Sequence, residues 1–257
     1  MPRPIKLLQL TDLHLKADQS AEMRGSNVQK QIDEILKSAT THPLWPADLI
    51  ALTGDIVDES EQAAWQTAYS RLAQQLSNLN TEICCIPGNH DDPVLLETIF
   101  TAHHMTTKGC LTLGNWRIIL LDSSVPGSTD GMLNAAQLTV LEQSLLTSPA
   151  GHTLVLIHHP VIDINCRWLD SMKVANGLEL INRLSNEHGS KVIIWGHAHQ
   201  EFDAIYQGVR LLGAPAACPV QFQPLSDEFA IDEINRPGFR WCTLHDDGSI
   251  DTLVVRI

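Results

Sequence analysis

The sequence predicts an α/β protein, and three observations carry that prediction. Apolar runs of strand length alternate with helix-periodic segments through the first two-thirds of the chain. From about residue 202 the pattern becomes strand after strand, joined by short polar turns. Several of the earlier apolar runs also stop on glycine or proline beside Asp, Asn or His. Those side chains therefore fall at strand carboxyl ends, where sheets with crossover connections hold ligands.

Taken in order, residues 5–10 read as a buried strand that delivers Asp12 and His14 just past its end. Two residues apart in an extended segment, these side chains point to the same side and can reach one ion. Residues 15–27 are polar and read as loop. A helix is predicted over 28–39, with Ile32, Ile35 and Leu36 on one face. After Pro43 and Pro46, the run Asp48-Leu49-Ile50-Ala51-Leu52-Thr53-Gly54-Asp55 is a strand that ends on a carboxylate. Ser60 and Glu61 then open a second helix, where Trp65, Tyr69, Leu72, Leu76 and Leu79 recur at helical spacing as a core stripe. Residues 81–86 form the third strand, closed by Pro87-Gly88 and followed by Asn89-His90-Asp91-Asp92. Pro93 suits the first turn of a short helix.

Gly114-Asn115 is a two-residue hairpin signal between strands 111–113 and 116–121, and Asp122 with Ser123 and Ser124 reads as a turn. Leu138, Leu141 and Leu145 mark a helix, and the strand 153–157 ends on His158-His159-Pro160. Residues 161–175 read as irregular. Within them Trp168, beside Arg167 and Asp170, is either a lid over a substrate or a satellite core residue. A helix near 178–184 precedes the strand 191–195, which ends on Gly196-His197-Ala198-His199. Strands follow at 202–206, 209–212, 239–244 and 250–255.

The chain has 257 residues, 44% hydrophobic and 18% charged, with no linker-like stretch, so a single domain over 1–257 is expected. A formal charge of −13 argues against a nucleic-acid partner, because such binding rests on neutralising phosphates. Apolar runs fall short of the ~18 residues of a membrane span. Met1-Pro2-Arg3-Pro4 leads directly into the strand that carries Asp12 and His14. A cleaved leader there would remove them, so a cytoplasmic protein is expected. The six cysteines show no C-x-x-C spacing, and Cys84-Cys85 sits inside an apolar run. Buried free thiols fit a reducing compartment better than a disulfide framework or a structural zinc site.

Taken singly, each polar cluster reads as an ordinary turn. Together, five strands end in Asp, Asn or His, the pattern by which an active site gathers its residues. Imidazole with carboxylate suits Fe, Mn or Zn, and Asp55 reads as a carboxylate shared by two ions. His42, His103, His104, His152, His188 and His245 lack this context and read as surface or loop histidines.

The ordered set D-x-H, G-D, G-N-H-D, H and G-H-x-H resembles the calcineurin-like metallophosphoesterases. The stretches His158-His159-Pro160, Trp168-Leu169-Asp170, Gly196 to Glu201 and Cys218 to Phe222 further resemble the bacterial class III 3',5'-cyclic-AMP phosphodiesterases. Where many such proteins have a second proline after His-His-Pro, this chain has Val161. The resemblance implies a four-layer α/β/β/α sandwich of two mixed sheets flanked by helices. It implies Asp12, His14, Asp55 and His199 on one divalent ion and Asp55, Asn89, His158 and His197 on the other. The ions are expected to be Fe2+ or Mn2+, with Zn2+ as the alternative.

His90 matches the family's catalytic histidine outside the metal shell, and Asp91 the acid that orients it. Asn89, His90 and His199 are the implied substrate contacts. The implied reaction is hydrolysis of 3',5'-cyclic AMP to 5'-AMP. Two ions roughly 3.5–4 Å apart would hold a bridging hydroxide for in-line attack, and protonated His90 would serve the leaving 3'-oxygen. The alternatives are another phosphodiester or nucleotide (cyclic GMP, 2',3'-cyclic nucleotides, glycerophosphodiesters) and, more distantly, a non-catalytic scaffold. The implied partner is a small cyclic nucleotide, bound by a monomer or homodimer.

Overall fold

The computed structural model describes residues 3–147 and 150–257. Among these, the chain runs β1 (Ile5–Leu10), β2 (Glu22–Met23), β3 (Ser26–Asn27), α1 (Val28–Thr41), β4 (Leu49–Thr53), α2 (Gln62–Ser77) and β5 (Glu82–Ile86). It continues through α3 (Pro93–Ala102), β6 (Gly109–Leu113), β7 (Trp116–Leu120), α4 (Ala135–Thr147), β8 (His152–Leu156), α5 (Arg167–Asp170), α6 (Gly177–Ser185) and β9 (Lys191–Trp195). The end is β10 (Phe202–Tyr206), β11 (Val209–Gly213), β12 (Gly238–Leu244) and β13 (Ile250–Arg256).

Two mixed sheets result. One has the order β13-β12-β1-β4-β5 and the other β10-β11-β9-β8-β7-β6. β1, β4 and β5 pair in parallel, as do β7, β8, β9 and β11. Alternation along each strand explains why the sheets face one another. Leu7, Leu49, Ala51, Cys84 and Ile86 point into the inter-sheet core, where they meet Ile118, Leu120, Leu154, Leu156, Val192 and Ile194. Their neighbours Leu8, Leu10, Ile50, Leu52 and Cys85 point outward onto α1, α2 and α3. In the other sheet Ile119, Val155 and Ile193 turn outward and pack with Leu141 of α4, Leu169 of α5 and Leu180 of α6. The layers are therefore helix, sheet, sheet, helix. Strands covered on both faces have no polar alternation, so they appear in the sequence as unbroken apolar runs.

Local signals set most element ends. Asn27 caps α1 by accepting from the Lys30 amide at 2.8 Å, and Asp92 caps α3 through the Val94 and Leu95 amides, with Pro93 in its first turn. Three expectations need correction. Residues 15–27 contain the ribbon β2–β3, turned by Arg24 and Gly25, both at positive φ. The irregular 161–175 segment contains the single turn α5. His152 is not a surface or loop residue but buried in β8, where its ring packs 5.0 Å from Trp116 and Nε2 lies 3.0 Å from the Asp246 carbonyl. All six cysteines are free thiols, and five are buried. No described helix is long and apolar enough to cross a membrane.

Candidate dimetal site

The site is built where strand ends of the two sheets meet. β1, β4 and β5 are neighbours in one sheet and end before Asp12 and His14, before Asp55, and before Asn89 and His90. β8 and β9 are neighbours in the other and end before His158, and before His197 and His199. Backbone bonds hold the ends together. Asp12 N donates to Gly54 O and His14 N to Asp55 O, each at 3.0 Å, and Gly196 N donates to His158 O at 3.0 Å.

Asp12, His14, Asp55, His197 and His199 all lie at φ between +48° and +57°. Left-handed backbone is unfavourable for residues with a Cβ, and such strain gathers at functional sites. Here it swings side chains from the strand direction into one centre. The motif glycines make room for ligands from other strands. A Cβ on Gly54 would collide with the His158 ring, one on Gly88 with the Asp55 carboxylate, and one on Gly196 with Asp12 and Thr11.

All seven predicted ligands converge. Asp55 Oδ2 lies 3.4 Å from His158 Nε2 and 3.7 Å from His14 Nε2. Asp12 Oδ1 lies 3.3 Å from His199 Nε2. Asn89 Oδ1 stands 3.2 Å from His158 Nε2 and 3.0 Å from His197 Nδ1. Two imidazoles have their tautomer set by carbonyls, which can only accept. His158 Nδ1–H donates to Thr53 O and His199 Nδ1–H to Val220 O, both at 2.8 Å. Nε2 of each is thereby left to face the centre, the usual support of a metal-bound histidine.

Electrostatics point the same way. Burial opposes the charge on Asp55, yet His158 and His14 outweigh it and hold this carboxyl well below its ordinary value. Burial likewise opposes charge on His158, but the Asp55 carboxylate prevails and raises its pKa to about 9. On His14 burial wins over Asp55, lowering the pKa to about 4, and His197 is pushed down by burial and by neighbouring imidazoles. Both ring nitrogens of His14 and Nε2 of His197 are buried without a hydrogen-bond partner. Buried imidazole nitrogens without a partner, gathered with carboxylates and other imidazoles, are left unsatisfied unless a cation takes up their lone pairs. The residues fit a metal pair.

His90 lies at the rim, its side chain 41% exposed, 5.0 Å ring to ring from His14. Its backbone amide donates to Asp55 Oδ1 at 2.9 Å, and its Nδ1 is 3.0 Å from Asp58 Oδ1. The carboxylate that orients His90 is therefore Asp58, not Asp91. Asp58 is itself held by Lys16, 2.9 Å from Oδ2. Asp91 instead accepts from the amides of Gly88, Ile56 and Val57 and from the Tyr69 hydroxyl, tying the β5 turn to the β4 turn. Burial and the Asp55 charge push its carboxyl up to about 6, and those donors work the other way.

Sequence reasoning also passed over His159, whose ring lies 4.6 Å from His197 and whose Nδ1 is 2.8 Å from Ser123 Oγ. It gave no role to Cys218 either, whose thiol is close enough to His14 and His199 to share a cation with them. Asp58 was within reach, three residues past Asp55 in Gly54-Asp55-Ile56-Val57-Asp58. A cleft of about 140 Å³ opens onto this centre, with Thr129, Trp168, Met172 and Phe222 in its wall. A larger cavity of about 360 Å³, lined by Gly189, Lys191, Arg210 and Gly248, holds no comparable cluster.

A four-layer sandwich with a His/Asp/Asn centre at facing strand ends defines the dimetal phosphoesterase class. Residues 5–201 match the sequence profile of the calcineurin-like phosphoesterases, and the chain belongs to that family. It is 37% identical to the 3',5'-cyclic adenosine monophosphate phosphodiesterase CpdA of Haemophilus influenzae, covering 98% of this chain and 90% of that one. It is 33% identical to a 3',5'-cyclic-nucleotide phosphodiesterase of Nostoc, covering 99% and 93%. Among solved structures, a dimetal phosphatase from Danio rerio superposes with a TM-score of 0.67 at 14% identity, covering 99% of both chains, which shows the shared fold.

Proposed function

We propose that this chain is a metal-dependent phosphodiesterase that hydrolyses 3',5'-cyclic AMP to 5'-AMP. The observation that carries the reading is a buried cluster of Asp and His side chains, with Asn89 beside it, in a chain similar along nearly its whole length to cyclic-AMP phosphodiesterases. Asp12, His14, Asp55 and His199 would hold one divalent ion and Asp55, Asn89, His158 and His197 the other, as Fe2+ or Mn2+. When bound, such a pair supplies Lewis acidity toward the phosphate and a nucleophile at neutral pH.

The chain's own groups do the rest. Asn89 is a neutral oxygen donor, so the centre keeps net positive charge for an anionic substrate. Water loses one proton to solvent as its oxygen adds to phosphorus, the bond to the 3'-oxygen breaks, and His90 delivers the proton that this poor leaving group needs, then regains one from solvent. Asp58 favours the protonated imidazole and fixes its ring, and Asp91 holds the two turns that carry Asp55 and His90. The proposed compartment is the cytoplasm, in keeping with six free thiols.

The test is product analysis with Mn-loaded protein offered cyclic AMP beside bis(p-nitrophenyl) phosphate. Formation of 5'-AMP is expected. Cleavage of the artificial diester with no 5'-AMP would leave the family in place and overturn the substrate.

A further inference from the structure

The cleft does not stop at the metal-site residues. Phe222 stacks on the His199 imidazole, with centroids 4.4 Å apart and planes 22° from parallel. Trp168 meets Phe222 edge-on at 4.9 Å. Phe229 lies 5.1 Å from Trp168 and 5.7 Å from Phe222. Three mutually inclined rings thus form one aromatic group in contact with a residue of the centre.

This group is registered to the site through the backbone. Val220 O accepts from His199 Nδ1, and the buried Gln221 amide donates to the carbonyls of Ala216, Cys218 and Val220. Gln223 N donates to Ala230 O at 2.9 Å and Asp232 N to Gln221 O at 3.0 Å, closing the loop that carries Phe229. A purely structural cluster would bury its rings, yet Phe229 is 63% exposed, and the buried Trp168 indole N–H has no hydrogen-bond partner. A lone exposed phenylalanine is unremarkable on most surfaces. Phe229 is not alone: from just beyond the cleft's own lining it extends the pair Trp168 and Phe222, which do line it. Among the described residues no lysine or arginine lines the cleft, so beyond the histidines of the centre its wall is aromatic and apolar apart from Thr129.

We propose that Trp168, Phe222 and Phe229 form a base-binding subsite, where the heterocycle of a cyclic nucleotide stacks while its cyclic phosphate meets the dimetal centre. This rests on the phosphodiesterase reading above. A cyclic nucleotide is amphipathic in the same order as the cleft, with an anion at one end and a flat π-surface at the other. Its fused ribose–phosphate ring holds the two ends apart. Stacking accepts every base, because each has a π-face, and it strengthens with ring area. The subsite therefore favours purines over pyrimidines and separates adenine from guanine only weakly.

The experiment compares cyclic AMP with a base-free ribose 3',5'-cyclic phosphate as substrates of the Mn-loaded wild type and of Phe229→Ala, Phe229→Leu and Phe229→Trp. The ratio of kcat/KM for cyclic AMP to that for the base-free analogue should fall about tenfold in Phe229→Ala, the scale of one base–aromatic stack. It should stay low in Phe229→Leu and recover in Phe229→Trp. Calorimetry of 5'-AMP against ribose 5-phosphate should show the same selective loss. A ratio that does not move in Phe229→Ala, or that Phe229→Leu restores, overturns the stacking subsite and leaves the phosphodiesterase standing. Cleavage of neither cyclic phosphate by the wild type overturns the functional reading and the subsite with it.

Discussion

The Nδ1 atom of His90 lies 3.0 Å from Asp58 Oδ1, so the imidazole at the rim of the site is oriented by a carboxylate that its own motif does not contain. That hydrogen bond comes first among the influences that raise the His90 pKa above its ordinary value, and burial opposes it. A raised pKa keeps the proton on His90 to higher pH, and the donor form is lost as pH rises through that value.

Asp58→Asn should therefore move the alkaline limb of the kcat/KM profile on cyclic AMP to lower pH. Burial remains and the favourable carboxylate is gone. Activity at neutral pH should drop roughly 10- to 100-fold, part of what positioned acid catalysis supplies, with metal content unchanged. A pH–rate profile beside elemental analysis decides, and an unmoved alkaline limb would reject the pairing.

His90→Ala should retain its metals and lose roughly 10²- to 10⁴-fold on cyclic AMP. A p-nitrophenyl diester has a good leaving group and needs little help from an acid, so its loss should be much smaller. Equal losses on both substrates would leave phosphate positioning as the better account of His90.

Asp55→Ala should empty both sites, because a single carboxylate oxygen, Asp55 Oδ2, faces both His14 and His158. His14→Ala should weaken chiefly one. Metal counting after gel filtration is the measurement, and two full equivalents kept by Asp55→Ala would rule out a shared carboxylate.

Gly88→Ala tests the steric reading of the motif glycines. Its Cβ would fall on the Asp55 carboxylate and amide, whereas one on Gly25 meets nothing within 4 Å. Gly88→Ala should lower stability by about 1–3 kcal/mol, as overpacking does, and should reduce metal occupancy. Gly25→Ala should lose only about 1 kcal/mol from its left-handed backbone and keep its metals. Equal metal content in the two variants would contradict the steric argument.

What the sequence determined by itself is local. Strands buried on both faces leave continuous apolar runs, and Asp, Asn or His beside a glycine, a proline or a turn marks where each of the site strands stops. Asp12, Asp55, Asn89, His158 and His197 were therefore legible one strand at a time, as was the change to strand-rich structure near residue 202. The tertiary structure decided what lies opposite what. After a turn, spacing does not say where a side chain points, so Asp91, adjacent to His90, faces the backbone of Ile56 and Val57, while Asp58, 32 residues away in sequence, reaches its ring. Cys218 and Phe222 come to the site, with Phe229 beside them, where the backbone beyond β11 bonds to the turn after β1, through Ala217 N to Thr11 O and Cys218 N to Asp12 O. Such contacts join segments some two hundred residues apart and leave no periodicity in the chain, because their partner is set by the packing of the two sheets.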